Sequence, residues 1–245
     1  MNYLSVLTTL VTIVFMVSVF LRFLRRRSHP YLLVWSFGLL LYGLGTISEV
    51  VLSLTFSPLM LKIWYLSGAM LTAAWLGQGT VFLLIRRRYV APTLAVILGL
   101  ASIASIVLIL TAPITSAASG FQIHTPVSAQ YQDILVRSGA VTALTIFLNI
   151  YGTICLIGGA IFSGFLFWRK RILPNRVLGN VLIAIGAMSP AMAGSFIKLG
   201  LNDMLYVSEL LGVVLMYLGF LQASYRRKTA TSKVQTPTHE PSSLG

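Results

Sequence analysis

Of the 245 residues in this chain, 57% are hydrophobic and only 9% are charged, whereas soluble domains carry about 25% charged residues. A mean hydropathy of +0.88 excludes a separate water-soluble domain, so the sequence predicts a single all-α membrane bundle. The net charge of +13 does not indicate nucleic-acid binding, because the basic residues form short clusters between apolar runs, a pattern typical of membrane orientation.

Seven apolar stretches are long enough, at about 20 residues each, to cross a bilayer. They cover residues 3–24, 31–55, 59–85, 91–112, 139–168, 177–199 and 204–224. We therefore predict a seven-helix transmembrane domain in residues 1–228, embedded in the lipid bilayer of the cell membrane. The remaining residues, 229–245, are polar and contain proline, which predicts a disordered tail.

The basic residues predict the orientation of the bundle. Arginine clusters follow the first, third, fifth and seventh stretches, at Arg25, Arg86, Arg169 and Arg226. Of the 18 lysines and arginines, the opposite ends of the stretches hold only Lys62, Arg137 and Lys198. Because positive residues favour the cytosolic side, the N-terminus is predicted outside and the C-terminus inside.

Glycine and aromatic residues recur along one face of the second and the third stretch. Steps of three and four residues place them on the same side of a helix, and the two sets are Trp35, Gly38, Tyr42, Gly45 and Glu49, and Tyr65, Gly68, Thr72, Trp75 and Gly79. Such faces are typical of close helix packing. The alternative is a ligand pocket between the two helices.

Two glutamates in predicted spans are the most informative residues. Glu49 and Glu209 each lie five or six residues from the outer end, which at 1.5 Å per residue is about 8–9 Å deep. A carboxylate at that depth normally faces the bundle interior or a watery cavity. We predict an outer-side ligand cavity bordered by both glutamates and by three tyrosines, with two lysines in the same layer: Tyr42, Tyr65, Tyr206, Lys62 and Lys198. The alternative is a set of structural ion pairs that join helix ends.

The loop in residues 113–138 is the one long connection between the stretches. Residues 129–136 within it could form a short helix. We interpret the loop as a connector, with a lid as the alternative.

Three further features concern the later helices and the chemistry of the chain. Pro190 should kink the sixth helix and is a candidate hinge, and the amides of Gln78, Asn149 and Asn180 should bond across helices.

All histidines lie outside the predicted spans and no hydrolase or nucleotide motif occurs. No metal, cofactor or catalytic residue is therefore predicted, and the sequence favours a protein that is not an enzyme.

An internal repeat is suggested by two similar segments. The segment from Phe23 to Pro30 resembles that from Phe167 to Pro174, with basic residues at the same spacing. This pattern is consistent with two parallel three-helix units joined by the fourth helix, a 3+1+3 plan found in some carriers. Alternatively, helices that end at the cytosol simply collect arginine and proline.

The layout resembles the seven-helix N-terminal sensor region of some bacterial histidine kinases and cyclic-nucleotide signalling proteins. The resemblance rests on Trp35 and Glu49, on the segment from Trp64 to Gly68, and on Pro190. The third stretch lacks the central proline expected of that group, and no output domain follows the seventh. The resemblance implies sensing of an extracellular or membrane ligand and signalling through a partner protein.

The sequence thus leaves three functions open. The first is a module that binds or senses a small amphiphilic ligand and acts through a partner. The second is a small 3+1+3 carrier, and the third is a structural subunit of a membrane complex. The first is favoured because the charged residues in the spans crowd the outer half, whereas a carrier needs a polar path to the inner face.

Overall fold

In the computed structural model the protein is a bundle of α-helices. The structure describes residues 3–85, 87–169, 174–198 and 202–224, with only the backbone described at residues 174, 191, 193–198, 202 and 203. The helices are α1 (Tyr3–Arg25), α2 (Pro30–Leu52), α3 (Pro58–Leu84), α4 (Val90–Thr111), α5 (Val127–Ile134), α6 (Gly139–Arg169), α7 (Pro174–Lys198) and α8 (Asn202–Ser224).

The prediction of an all-helical, multi-pass architecture is confirmed for the part of the chain that the structure describes. Six helices there are long and apolar enough to cross a membrane, namely α1, α2, α3, α4, α6 and α8. The seventh predicted span coincides with α7, part of which is described by its backbone only. The count of seven, the orientation and the internal repeat stay predictions, and the tail in residues 229–245 lies outside the described residues. We call the end of the bundle that carries α5 the outer end, following the predicted orientation.

Local sequence chemistry explains where several helices begin. Ser57 is the N-cap of α3, where its hydroxyl accepts a hydrogen bond from the backbone N–H of Met60, and Pro58 occupies the first turn. Ser138 caps α6 in the same way by accepting from the N–H of Val141. Serine caps and first-turn prolines are preferred because they satisfy or remove donors that have no partner within the helix.

Two helices contain π-helical segments, which no sequence pattern predicted. They are Tyr65–Leu71 in α3 and Ile154–Gly158 in α6. Such a segment adds a residue to a turn and so rotates every later side chain around the helix axis. Beyond the first segment, Trp75 contacts two helices, since its ring packs on Phe37 of α2 and its indole N–H donates to Ser102 Oγ of α4, 3.1 Å away.

Close backbone approaches hold α3 between α2 and α6. A Cβ added to Gly45 would lie 3.0 Å from the Cα of Gly68, and one added to Gly152 would lie 2.3 Å from the carbonyl carbon of Ala73. Both contacts are to backbone, which cannot move aside as a flexible side chain can. The predicted packing of α2 on α3 through glycine is therefore present at Gly45 and Gly68.

The loop between α4 and α6 folds onto the outer end of the bundle. The backbone N–H of Thr115 donates to the carbonyl of Ile134, and Ile134 and Leu135 are buried. The short helix predicted at residues 129–136 is present, but it spans Val127–Ile134 because Leu135 leaves it to pair with Ile114. The loop is therefore more than a connector, since α5 forms part of the wall of the cavity that is described below.

Candidate functional site

The outer half of the bundle encloses a cavity of about 470 Å³. Its walls come from five long helices, α2, α3, α6, α7 and α8, and from the short helix α5. The polar or aromatic side chains in the wall include Tyr42, Thr46, Glu49, Trp64, Thr72, Ser128, Tyr131, Gln132, Asn149 and Glu209. The volume falls within the range of about 300–1,000 Å³ that is typical of sites for small organic ligands.

The two predicted glutamates meet in this cavity. Glu49 of α2 is 3% exposed, and its carboxyl group lies within hydrogen-bonding reach of that of Glu209 on α8. Oε1 of Glu49 and Oε2 of Glu209 are buried and have no hydrogen-bond partner. Among the described side chains, neither carboxyl group has a basic partner. Two buried carboxyl groups in contact repel each other when both are ionised, so the pair needs a proton or a cation between them.

The three predicted tyrosines occupy different environments. Tyr42 lines the cavity, and its hydroxyl donates to the backbone carbonyl of Glu209, 3.3 Å away. Tyr65 is fully buried behind the wall, where its hydroxyl lies 3.1 Å from Thr145 Oγ1 and its ring packs on Tyr131. Tyr206 is buried in a small cluster with Leu205. The expectation that all three tyrosines border the cavity is therefore met by Tyr42 alone.

Lys62 lies away from the glutamates. Its Nζ donates to the backbone carbonyl of Leu110, 2.7 Å away in the last turn of α4. The final carbonyls of a helix have no partner within it, and a nearby lysine commonly satisfies them. The structure therefore does not show the alternative in which Lys62 forms an ion pair with a glutamate. The side chain of Lys198 lies outside the described residues.

Sequence reasoning missed the wall formed by Trp64, Ser128 and Tyr131. The rings of Trp64 and Tyr131 lie 5.4 Å apart, and Ser128 Oγ is buried with no partner. A loop with no apolar periodicity does not reveal that it folds back over the bundle. Asn149, in contrast, was expected to bond across helices, and its amide nitrogen donates to the carbonyls of Ala69 on α3 and Thr145, both at 2.9 Å.

Within the part of the chain that the structure describes, the cavity lining stops short of the inner end. Gln78 is completely buried, donates to the carbonyl of Ala91 at 2.8 Å and accepts from the hydroxyl of Tyr151. The indole N–H of Trp35 donates to the carbonyl of Leu76, 3.1 Å away. Trp35 packs against an apolar cluster that includes Val19, Leu32, Leu39, Leu76, Met216 and Phe220.

Pro190 lies at the cavity and at the contact between α7 and α8. It lines the cavity, and a Cβ added to Gly212 of α8 would approach its Cδ to 2.7 Å. Because proline removes a backbone hydrogen bond of its helix, α7 is weakened at the level where it borders the cavity. Its predicted role as a hinge stays a prediction.

The fold and the composition of its helices define an integral, multi-pass membrane protein. The sequence matches no protein-family model and no curated protein. The functional argument therefore rests on the cavity and on the chemistry of the residues that line it.

Proposed function

We propose that the chain is a membrane-embedded ligand-binding module that takes a small amphiphilic molecule into the outer cavity. One observation carries the proposal: the cavity contains two buried carboxyl groups, each with one oxygen that has no hydrogen-bond partner among the described residues. Keeping such groups without partners is costly. A folded protein retains them when a ligand supplies the missing interaction.

The rest of the wall explains why the ligand should be amphiphilic. Besides the two glutamates, the cavity is lined by apolar side chains, among them Ala69, Leu76, Leu156, Ile157 and Met216. Two lining residues, Gln132 on α5 and Thr153 on α6, are exposed. They mark where a ligand could enter from the outer end or from the side of the bundle.

The packed inner half favours binding over transport. A carrier needs a polar path that continues across the protein. Below the cavity, however, the polar side-chain atoms of Gln78 and Trp35 already form hydrogen bonds with other groups of the protein. A ligand held in the outer cavity would have to act through a change in helix packing, for which Pro190 is the candidate hinge. The resemblance to kinase sensor regions agrees with this mode of action and implies a partner protein that receives the signal.

Cysteine accessibility tests whether the cavity admits small molecules. In a Cys155→Ser background, Thr46→Cys places a thiol in the cavity wall and Ser36→Cys places one in the packed part of the same helix. Ser36 is a matched control for Thr46, since Thr46 is 4% and Ser36 5% exposed. The hydroxyl of each residue also donates to a carbonyl of its own helix. We expect a small methanethiosulfonate reagent to modify Thr46→Cys about ten times faster or more, because access limits the reaction of a thiolate.

Equal, slow modification at both positions would contradict the proposal. The cavity would then be a closed packing gap, and its carboxyl groups would have a structural role. Modification at Thr46→Cys that is blocked by a saturating amphiphile would support ligand binding directly.

A further inference from the structure

The ligand class follows from which atoms of the cavity remain available for bonding, and this inference rests on the proposed binding function. Three hydroxyl groups in the cavity wall donate to backbone carbonyls of the protein itself. Tyr42 donates to the carbonyl of Glu209, Thr46 to that of Gly43 and Thr72 to that of Ser67. What these side chains can still offer a ligand is the lone pairs of their oxygens.

Asn149 likewise can offer a ligand only an acceptor. Its amide nitrogen donates to two backbone carbonyls, so both amide protons are engaged and only Oδ1 can bind a ligand. Together with Glu49 and Glu209, the deep wall therefore presents acceptors. A complementary ligand must bring donors, and beside two carboxyl groups it must bring positive charge.

The aromatic side of the cavity is also suited to a cation. Trp64 and Tyr131 line it with rings 5.4 Å apart, and aromatic faces attract ammonium groups. The ring of Tyr131 already accepts one cation, since the guanidinium carbon of Arg137 lies 5.0 Å from its centroid. Donors that remain free in this wall include those of Ser128, Trp64 and the Tyr131 hydroxyl.

The size of the cavity and the make-up of its wall favour an organic cation over a metal ion. A volume of about 470 Å³ exceeds the space of a bare ion many times, and much of the wall is apolar. Among the described residues, no group of three His, Cys, Asp or Glu side chains comes together to hold a metal. An ammonium head with a small apolar body satisfies both parts of the wall.

We propose that the cavity binds a protonated primary amine, with its ammonium group between Glu49 and Glu209 and its apolar body against α3 and α6. The ammonium donates to the two carboxylates and to Asn149 Oδ1. The body lies near Ala69, Leu156 and Ile157.

The test measures thermal stability of the full chain in detergent with three probes of similar shape: 2-phenylethylamine, 2-phenylethanol and phenylacetate. We expect the amine alone to raise the Tm, by about 5 °C or more at saturation. Glu49→Gln and Glu209→Gln should each weaken amine affinity about 30-fold or more, because each removes one charge partner. Asp133→Asn is the matched control, since it neutralises an exposed carboxylate on α5 outside the cavity and should leave affinity unchanged.

A second measurement does not depend on folding of the glutamate variants. With both carboxyl groups intact, Thr46→Cys should react about tenfold faster with a trimethylammonium methanethiosulfonate than with its sulfonate analogue. The rates are normalised to Asp133→Cys on the outer surface.

The contrary outcomes separate this inference from the proposed function. Equal stabilisation by the alcohol, or equal reaction rates for both reagents, would overturn the amine while leaving a ligand-binding cavity. Amine binding that appears only in Lys198→Met would also overturn the inference, because this lysine would then supply the positive charge. An inaccessible Thr46→Cys would remove the proposed function itself.

Discussion

At the scale of single residues, the paired carboxyl groups of Glu49 and Glu209 dominate the energetics of the cavity. Two like charges about 4 Å apart repel by about 4 kcal/mol at an effective dielectric constant of 20. That is a large fraction of a typical folding free energy of about 5–15 kcal/mol. The ligand-free protein therefore has to hold a proton between the two carboxyl groups, or it loses much of its stability.

Neutralising one glutamate should stabilise the ligand-free protein. In Glu49→Gln the new amide can donate to the carboxylate of Glu209, so the variant keeps a charge-assisted hydrogen bond without needing a proton from solution. We expect the Tm in detergent at pH 8.5 to rise by a few degrees, since about 1 kcal/mol corresponds to about 2–4 °C at this size. The double variant with Glu209→Gln should gain less than the sum of the single variants, because it loses the charged acceptor.

Lys62 provides the control for that experiment. Its Nζ bonds to the carbonyl of Leu110, so the Tm shifts of Lys62→Met and Glu49→Gln should simply add. If instead Glu49→Gln lowers the Tm and Lys62→Met restores it, the two side chains form an ion pair and the described cavity is wrong.

Gln78 and Tyr151 should behave as a coupled pair in the inner half. Gln78→Met removes the partner of the Tyr151 hydroxyl and of the Ala91 carbonyl, and a buried polar group without a partner costs about 1–3 kcal/mol. Thermal unfolding should therefore show a loss of several degrees. Adding Tyr151→Phe should recover part of it, because the stranded hydroxyl is removed as well. Losses that simply add in the double variant would exclude the hydrogen bond.

At the scale of helices, the contact between α3 and α6 depends on Gly152. We predict that Gly152→Ala destabilises the protein by about 1–3 kcal/mol, since its Cβ would lie 2.3 Å from the carbonyl carbon of Ala73. Gly99→Ala is the matched control in α4, where a Cβ meets nothing within 4 Å and alanine favours the helix by about 0.5–1 kcal/mol. A Gly152→Ala protein as stable as wild type would show that the two helices lie further apart.

The helices themselves could be predicted from the sequence, but their internal geometry could not. Apolar runs of about 20 residues and the starts at Pro30, Ser57 and Ser138 follow from local chemistry. The π-helical segments do not, because they arise from how α3 and α6 pack on their neighbours. The contacts of Tyr65 with Thr145 and of Trp75 with Ser102 were likewise not predicted from the 3.6-residue pattern.

At the scale of the whole molecule, the position of the cavity could be predicted from the sequence better than the residues that form its wall. The cost of a carboxylate at membrane depth was enough to predict that Glu49 and Glu209 face the interior, and both line the cavity. The sequence left open whether Lys62 pairs with a glutamate, because a similar depth in the membrane does not tell which face of α3 carries Lys62, and in the structure Lys62 bonds to Leu110 instead. The contribution of α5 depends on the tertiary folding of a long loop, which a single sequence does not encode in any local pattern.

The orientation of the bundle is the remaining whole-molecule prediction, and it decides from which side a ligand reaches the cavity. Arginine clusters predict that the connections before α2 and before α4 face the cytosol, whereas α5 and the connection before α3 face outward. Single cysteines at Ser28, Thr55, Tyr89 and Asp133, all exposed, sample these four places in a Cys155→Ser background. A membrane-impermeant maleimide applied to intact cells should label Thr55→Cys and Asp133→Cys, and should label the other two only after permeabilisation. The reverse pattern would show that the bundle has the opposite orientation in the membrane. The cavity with its two carboxyl groups would then receive its ligand from the cytosol.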